Sequence, residues 1–118
     1  MKCVLVTGGR DYANRQSVFD TLDVLKPDVL IEGGAAGADA LARAWATERG
    51  VQPATFSANW NKLGKPAGPI RNAMMVTVLK ALEKAGWECK VVAFSGGRGT
   101  ANCTTTAEES GFVVEKVK

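Results

Sequence analysis

The stretch Ser95-Gly96-Gly97-Arg98-Gly99-Thr100 carries residue types suited to holding an anion, and it directly follows the apolar run Val91-Val92-Ala93-Phe94. Gly96, Gly97 and Gly99 leave backbone N–H groups uncovered, and Thr100 adds a hydroxyl. Arg98 either enters such a site or faces solvent. A second stretch, Gly33-Gly34-Ala35-Ala36-Gly37-Ala38-Asp39, runs into a helical pattern. Its small residues admit a ligand to the backbone, and free N–H groups at a helix start favour an anion. The alternative is a tight strand–helix turn with Asp39 in the dipole-favoured first turn. This stretch contains neither G-x-G-x-x-G nor the Gly-Lys-Ser/Thr ending of a P-loop.

Gly64-Lys65-Pro66-Ala67-Gly68-Pro69-Ile70-Arg71-Asn72 supplies a third element. Arg71 and Asn72 fall in the first turn of a helix, where arginine opposes the helix dipole. Arg71 shares a stripe with Met75, Val78 and Leu82, which turns it inward. An inward arginine requires a negative partner, either an internal carboxylate or a ligand phosphate. A further glycine pair, Gly8-Gly9, precedes Arg10. Tyr12 and Trp60 occupy loops from which an aromatic ring can stack on a base, although Trp60 can equally cap the core. Trp45 and Trp87 read as packing residues.

The chain has no histidine. Ser–His triads, Cys–His dyads and imidazole metal sites are therefore excluded. Cys3, Cys89 and Cys103 lack metal-ligand spacing, so no metal and no required cofactor are expected. The cysteine usage suggests a reduced, cytoplasmic protein, with Cys3 and Cys89 as small core residues. The start of the chain has too few apolar residues for a signal-peptide core, and no segment is long enough to span a membrane. A formal net charge of +3 is compatible with an anionic small molecule. It argues against a single-stranded nucleic-acid groove, which is normally strongly basic.

The elements that must position these residues follow one pattern. Apolar runs 3–7, 28–32 and 90–94 each lead to a glycine pair, and their β-branched content suits strands buried on both faces. Residues 51–58 form a weaker strand, and 111–117 close the sheet. Helical periodicity covers 15–26, 38–49, 69–85 and roughly 101–110. In the first of these Val18, Leu22 and Leu25 share a face, and in the second Leu41, Ala44, Trp45 and Glu48 do. Gly50 and Gly86 are the stop signals of the second and third helices. Strand–helix alternation over 118 residues predicts one α/β domain, residues 1–118. The expected architecture is a Rossmann-like three-layer αβα sandwich with a five-stranded, mainly parallel sheet. The glycine-rich turns then converge on the C-terminal edge of that sheet.

Taken together, the segments Thr7–Tyr12, Gly33–Ala46, Trp60, Gly64–Met75 and Gly96–Asn102 resemble the small stand-alone YspA-type (cpYpsA-related) members of the SLOG superfamily. That superfamily also holds LONELY GUY-type phosphoribohydrolases, molybdenum-cofactor carriers and nucleotide-sensing domains. The resemblance implies a phosphorylated nucleoside or an ADP-ribose-like ligand at the glycine-rich edge, held by a sensor, carrier or sequestering protein. Homodimers occur among such relatives, and the helix carrying Met74 and Met75 offers a face for one.

The enzymatic branch carries Arg-Lys-x-x-Met, which here reads Arg71-Asn72-Ala73-Met74-Met75. Its second motif, Pro-Gly-Gly-x-Gly-Thr-x-x-Glu, here begins at Ser95 and ends at Cys103. The catalytic glutamate of that branch is therefore Cys103. An N-glycosidic hydrolase needs a carboxylate to stabilise oxocarbenium character or to direct water. Glu32, Asp39 or Glu108 would have to supply it.

Overall fold

The computed structural model describes all 118 residues. The strands are β1 (Lys2–Thr7), β2 (Val29–Glu32), β3 (Gln52–Thr55), β4 (Glu88–Phe94) and β5 (Val114–Val117). The helices are α1 (Arg15–Leu25), α2 (Ala38–Arg49), α3 (Trp60–Leu63), α4 (Ala67–Lys84) and α5 (Arg98–Glu109). The strands form one sheet in the order β3-β2-β1-β4-β5, and every pairing is parallel. The expected α/β sandwich is therefore the observed fold, with a wholly rather than mainly parallel sheet.

The alternation of β1 builds both layers. Val4 and Val6 point to one face, where they meet Val18, Phe19 and Leu22 of α1 and Ala42, Trp45 and Ala46 of α2. Cys3 and Leu5 point to the other, against Met75, Val76 and Leu79 of α4 and Cys103 and Ala107 of α5. Each face of the central strand is thus sealed by a helix pair, as an all-parallel sheet requires. The α1–α2 pair is also tied at its rim. Asp23 accepts from Trp45 Nε1 at 2.8 Å and from Arg49 Nε at 2.9 Å.

Several boundaries differ from the sequence reading, each for a local reason. A short helix, α3, forms where a loop was expected, and Asn59 starts it by accepting from the Lys62 N–H at 3.1 Å. Helix α4 begins at Ala67, ahead of Pro69, and α5 begins at Arg98. Strands β3 and β5 are shorter than expected because each borders the sheet on only one side. The buried stripe of α4 runs through Asn72, Met75, Val76 and Leu79, while Val78 is exposed. Along α2 the buried positions are Ala38, Ala42, Trp45 and Ala46, and Glu48 is exposed.

Strand order reverses between β1 and β4, which leave in opposite directions toward β2 and β5. The loops after these two strands meet at Gly9. Its N–H donates to the Ser95 carbonyl at 2.9 Å, and its carbonyl accepts from the Ala38 N–H at 3.1 Å. Gly37 completes this junction with φ +73° and ψ −126°. A Cβ on Gly37 would sit 2.1 Å from the Gly9 carbonyl oxygen. Gly37→Ala combines that clash with a backbone conformation reserved for glycine. We expect it to destabilise the fold by at least about 2 kcal/mol, measured by urea unfolding. Wild-type stability in that variant would mean that the junction is not a constraint.

Candidate functional site

The crossover between β1 and β4 opens a cleft of about 650 Å³ at the C-terminal edge of the sheet. This is the switch point at which such folds take ligands. One wall is the start of α5, whose N-cap Gly97 provides no side-chain cap. The N–H groups of a helix's first turn have no partner inside the helix. A Cβ built on Gly97 or Gly99 meets nothing within 4 Å. Both glycines therefore leave the space where a side chain would stand open to the cleft, which Thr100 also lines.

The other glycines of the motifs serve a different purpose. A Cβ on Gly8 would strike Ala38 Cβ at 2.5 Å, on Gly9 the Ser95 carbonyl at 2.8 Å, and on Gly96 Thr100 Oγ1 at 2.1 Å. One on Gly33 would strike Arg71 at 2.5 Å, and one on Gly34 Ser57 Oγ at 2.7 Å. They let the loops pack on one another. Gly8 and Gly9 still line the cleft with their backbone, whereas Gly33, Gly34, Gly37, Ser95 and Gly96 do not. Ser95 and Gly96 instead border a second, shallower cavity between α5 and β5, which also includes Glu108.

Arg10, Lys65, Arg71 and Arg98 bring positive charge to the cleft, and Asp39 is the single carboxylate in its wall. Ala35 and Asn72 also line it. Trp60 is 45% exposed and lies across Gly68 at the mouth, with the Arg10 guanidinium 5.4 Å from its ring centroid. Tyr12 is not part of the cleft. Its ring packs on Phe94, and its hydroxyl donates to the Lys118 carbonyl at 3.0 Å.

Arg71 is half-buried, and its internal partners are neutral oxygens where the sequence suggested a carboxylate or a phosphate. It donates through Nη1 to the Gly33 carbonyl and through Nε to Asn72 Oδ1 at 2.8 Å. Asn72 is 2% exposed, and its Nδ2 donates to the Gly99 carbonyl at 3.2 Å and to Asn102 Oδ1 at 3.0 Å. A relay of side chains therefore crosses from the β2–α2 loop through α4 to α5. Arg71 lines the cleft and has N–H groups beyond those used in its two bonds.

Of the candidate carboxylates, Glu32 is fully buried and fully engaged. It accepts from the Gly34 N–H at 2.7 Å, from Arg43 at 3.3 Å and from the Thr55 hydroxyl, all outside the cleft. Cys103, at the motif glutamate position, is also fully buried. Burial pushes its thiol up to about 11, and Thr7 and Arg71 offset this only in part. A thiol held protonated in this way is inert.

Asp39 differs from both. It is 5% exposed. Its Oδ2 accepts from the N–H groups of Gly33 at 3.2 Å and Ala35 at 3.3 Å, while Oδ1 has no partner. Burial raises its pKa to about 6, with Glu32 adding to the rise; Arg71 and the two N–H groups oppose it.

Thr7, Lys65, Gly68, Pro69, Met75 and Asn102 complete the lining and were not assigned to ligand binding from the sequence. Asn102 is one turn beyond Arg98, so it joins the same helix face once α5 is known to start there. Gly68 is recognisable only from Trp60, which lies on it.

The geometry is that of a Rossmann-like domain with a cationic, amide-lined cleft at its topological switch point. The YspA, cpYpsA-related SLOG family model matches residues 2–63. The chain is also similar to the gene 61 protein of Mycobacterium phage D29, with 37% identity covering 97% of this chain and 94% of that protein. The chain belongs to the YspA, cpYpsA-related SLOG family.

The buried carboxyl carries a consequence for stability. Folding raises the Asp39 pKa from 3.8 to about 6, so the folded chain holds this proton more tightly than the unfolded chain. The Asp39 contribution therefore favours folding least above pH 6, and that loss develops as pH rises from about 4 to 6. Asp39→Asn removes the titration and keeps an oxygen for the two N–H donors. We expect it to be more stable than wild type by about 1 to 3 kcal/mol at pH 8, with the difference vanishing near pH 4. Urea unfolding at both pH values measures this, and a difference independent of pH would contradict it.

Proposed function

We propose that this chain binds a phosphorylated nucleoside or an ADP-ribose-like nucleotide in the cleft, as a sensor, carrier or sequestering protein. The observation that carries this reading is the uncapped start of α5, with open space before Gly97 and Gly99 and cationic side chains around it. Free amides and flanking arginines suit a phosphate. The volume suits a nucleotide-sized molecule. Trp60 at the mouth offers a flat apolar surface to a base. Membership of a SLOG family supports a nucleotide-related ligand. No helix is long and apolar enough to cross a membrane.

Binding is favoured over N-glycosidic hydrolysis because the motif-glutamate position, Cys103, is sealed in the core, and Glu32 and Glu108 lie outside the cleft. The one carboxylate in its wall, Asp39, is tied by Oδ2 to the Gly33 and Ala35 N–H groups. For a homodimer, the face we assign is the exposed ridge of Ile70, Met74 and Val78 on α4.

Calorimetry with inorganic phosphate, adenosine 5′-monophosphate and ADP-ribose tests the reading. A Cβ on Gly97 meets nothing within 4 Å, so Gly97→Val adds bulk beside the amides where there is room for it. Its fold should persist, and binding should be lost. Unchanged affinity in this variant would remove the phosphate from α5.

Arg71→Ala should weaken nucleotide binding by about tenfold to a hundredfold, as expected for a charge-assisted hydrogen bond. It should also lower stability by about 1 kcal/mol, because the bonds to Gly33 and Asn72 go with it. Arg71→Lys should recover only part of the affinity, since a point charge lacks the guanidinium fork. Full affinity in Arg71→Ala would show that the arginine serves only the relay.

A further inference from the structure

Asp39 is an anion at the floor of a cleft otherwise lined by cations. An anionic ligand would gain from its absence. The carboxyl is nevertheless held in place by two backbone N–H groups, both on Oδ2. Its Oδ1 is buried and without a partner. A buried acceptor left unmatched is costly unless something else matches it. Arg71 lines the same cleft but makes its contacts elsewhere, with Gly33 and Asn72. Asp39 lines the cleft, so a hydrogen-bond donor brought by a ligand there would complete Oδ1.

We propose that Asp39 Oδ1 accepts a sugar hydroxyl of the bound nucleotide, making Asp39 the residue that selects ribo- over deoxyribo-ligands. This rests on the nucleotide reading and adds a division of labour to it. The start of α5, with Arg71 and Arg98, takes the anion. Asp39 reads the neutral, hydroxyl-bearing part, and a deoxy-sugar leaves Oδ1 unmatched.

The selection depends on ionisation. Ionised, Oδ1 only accepts; protonated, the carboxyl loses part of that capacity. The charged and titratable groups around it are Glu32 at the end of β2, Arg71 on α4 and Cys103 on α5. Arg10, Lys65 and Arg98 are the other charges of the cleft. Asp39 is the group among these whose pKa is placed at about 6. Discrimination should therefore be greater at about pH 8 than at about pH 5.

The test compares adenosine 5′-monophosphate with its 2′-deoxy and 3′-deoxy analogues, and with inorganic phosphate, by calorimetry on the full chain. A phosphate ester's second ionisation falls in the same pH range. The readout is therefore the ratio of ribo- to deoxy-affinity, in which the phosphate cancels. We expect at least one deoxy analogue to bind about tenfold to a hundredfold more weakly at pH 8. The ratio should be smaller at pH 5 than at pH 8, and in Asp39→Asn it should no longer change with pH.

Equal binding of all three nucleotides at pH 8 would overturn the proposal. So would a wild-type ratio that is constant with pH, a reading that does not depend on how the variant folds. A pH-dependent ratio that persists in Asp39→Asn would also overturn it. If phosphate binds and no nucleotide does, the anion site stands and the Asp39 assignment fails. If nothing binds, the nucleotide reading itself fails and takes this assignment with it.

Discussion

The backbone of Gly9 holds the site together. Its N–H reaches the Ser95 carbonyl after β4, and its carbonyl takes the Ala38 N–H at the start of α2. Three loops that are far apart in the chain are thereby fixed around one residue. The contacts are between backbones, so they demand that no side chain intervene. Gly8, Gly9, Gly37 and Gly96 satisfy that demand at the junction. The parallel sheet makes the meeting possible, because every strand delivers its C-terminal end to the same edge.

Stability and recognition are then separated in space. The hydrophobic layers on the two faces of β1 lie below the edge, and the rim contact of Asp23 with Trp45 and Arg49 lies on the far side of α1 and α2. The edge itself carries features that oppose folding. The start of α5 is uncapped, cations gather around it, and Asp39 keeps an unmatched oxygen. Local rules are broken where a ligand would repair them, the pattern expected of a functional site. The Arg71–Asn72–Asn102 relay links α4 to both neighbouring loops, so the cleft's walls are braced before any ligand arrives.

Much of the framework was legible in the sequence. Apolar, β-branched runs leading to glycine pairs identified the central strands, and helical spacing placed α1, α2 and α4 to within a few residues. The short edge strands and α3 were less legible. They owe their form to neighbours and to a single Asn59 cap, not to periodicity. The stripe of α4 was displaced because Val78 and Leu79 are equally apolar, and only packing against the sheet selects Leu79 for burial.

By itself the sequence determined that the chain folds as a parallel α/β domain with glycine-rich turns on one edge, since strand and helix patterns depend on nearest neighbours along the chain. Only the tertiary structure decided what each glycine and each charge is for. Gly97 and Gly99 face open space while Gly37 and Gly96 face other backbones, and nothing in residue type distinguishes them. Tyr12 left the site for the C-terminus, Glu32 found Arg43 and Thr55, and Asp39 kept a buried oxygen without a partner. These outcomes depend on which distant groups arrive within hydrogen-bond reach, a property of the assembled edge that spacing along one chain does not encode.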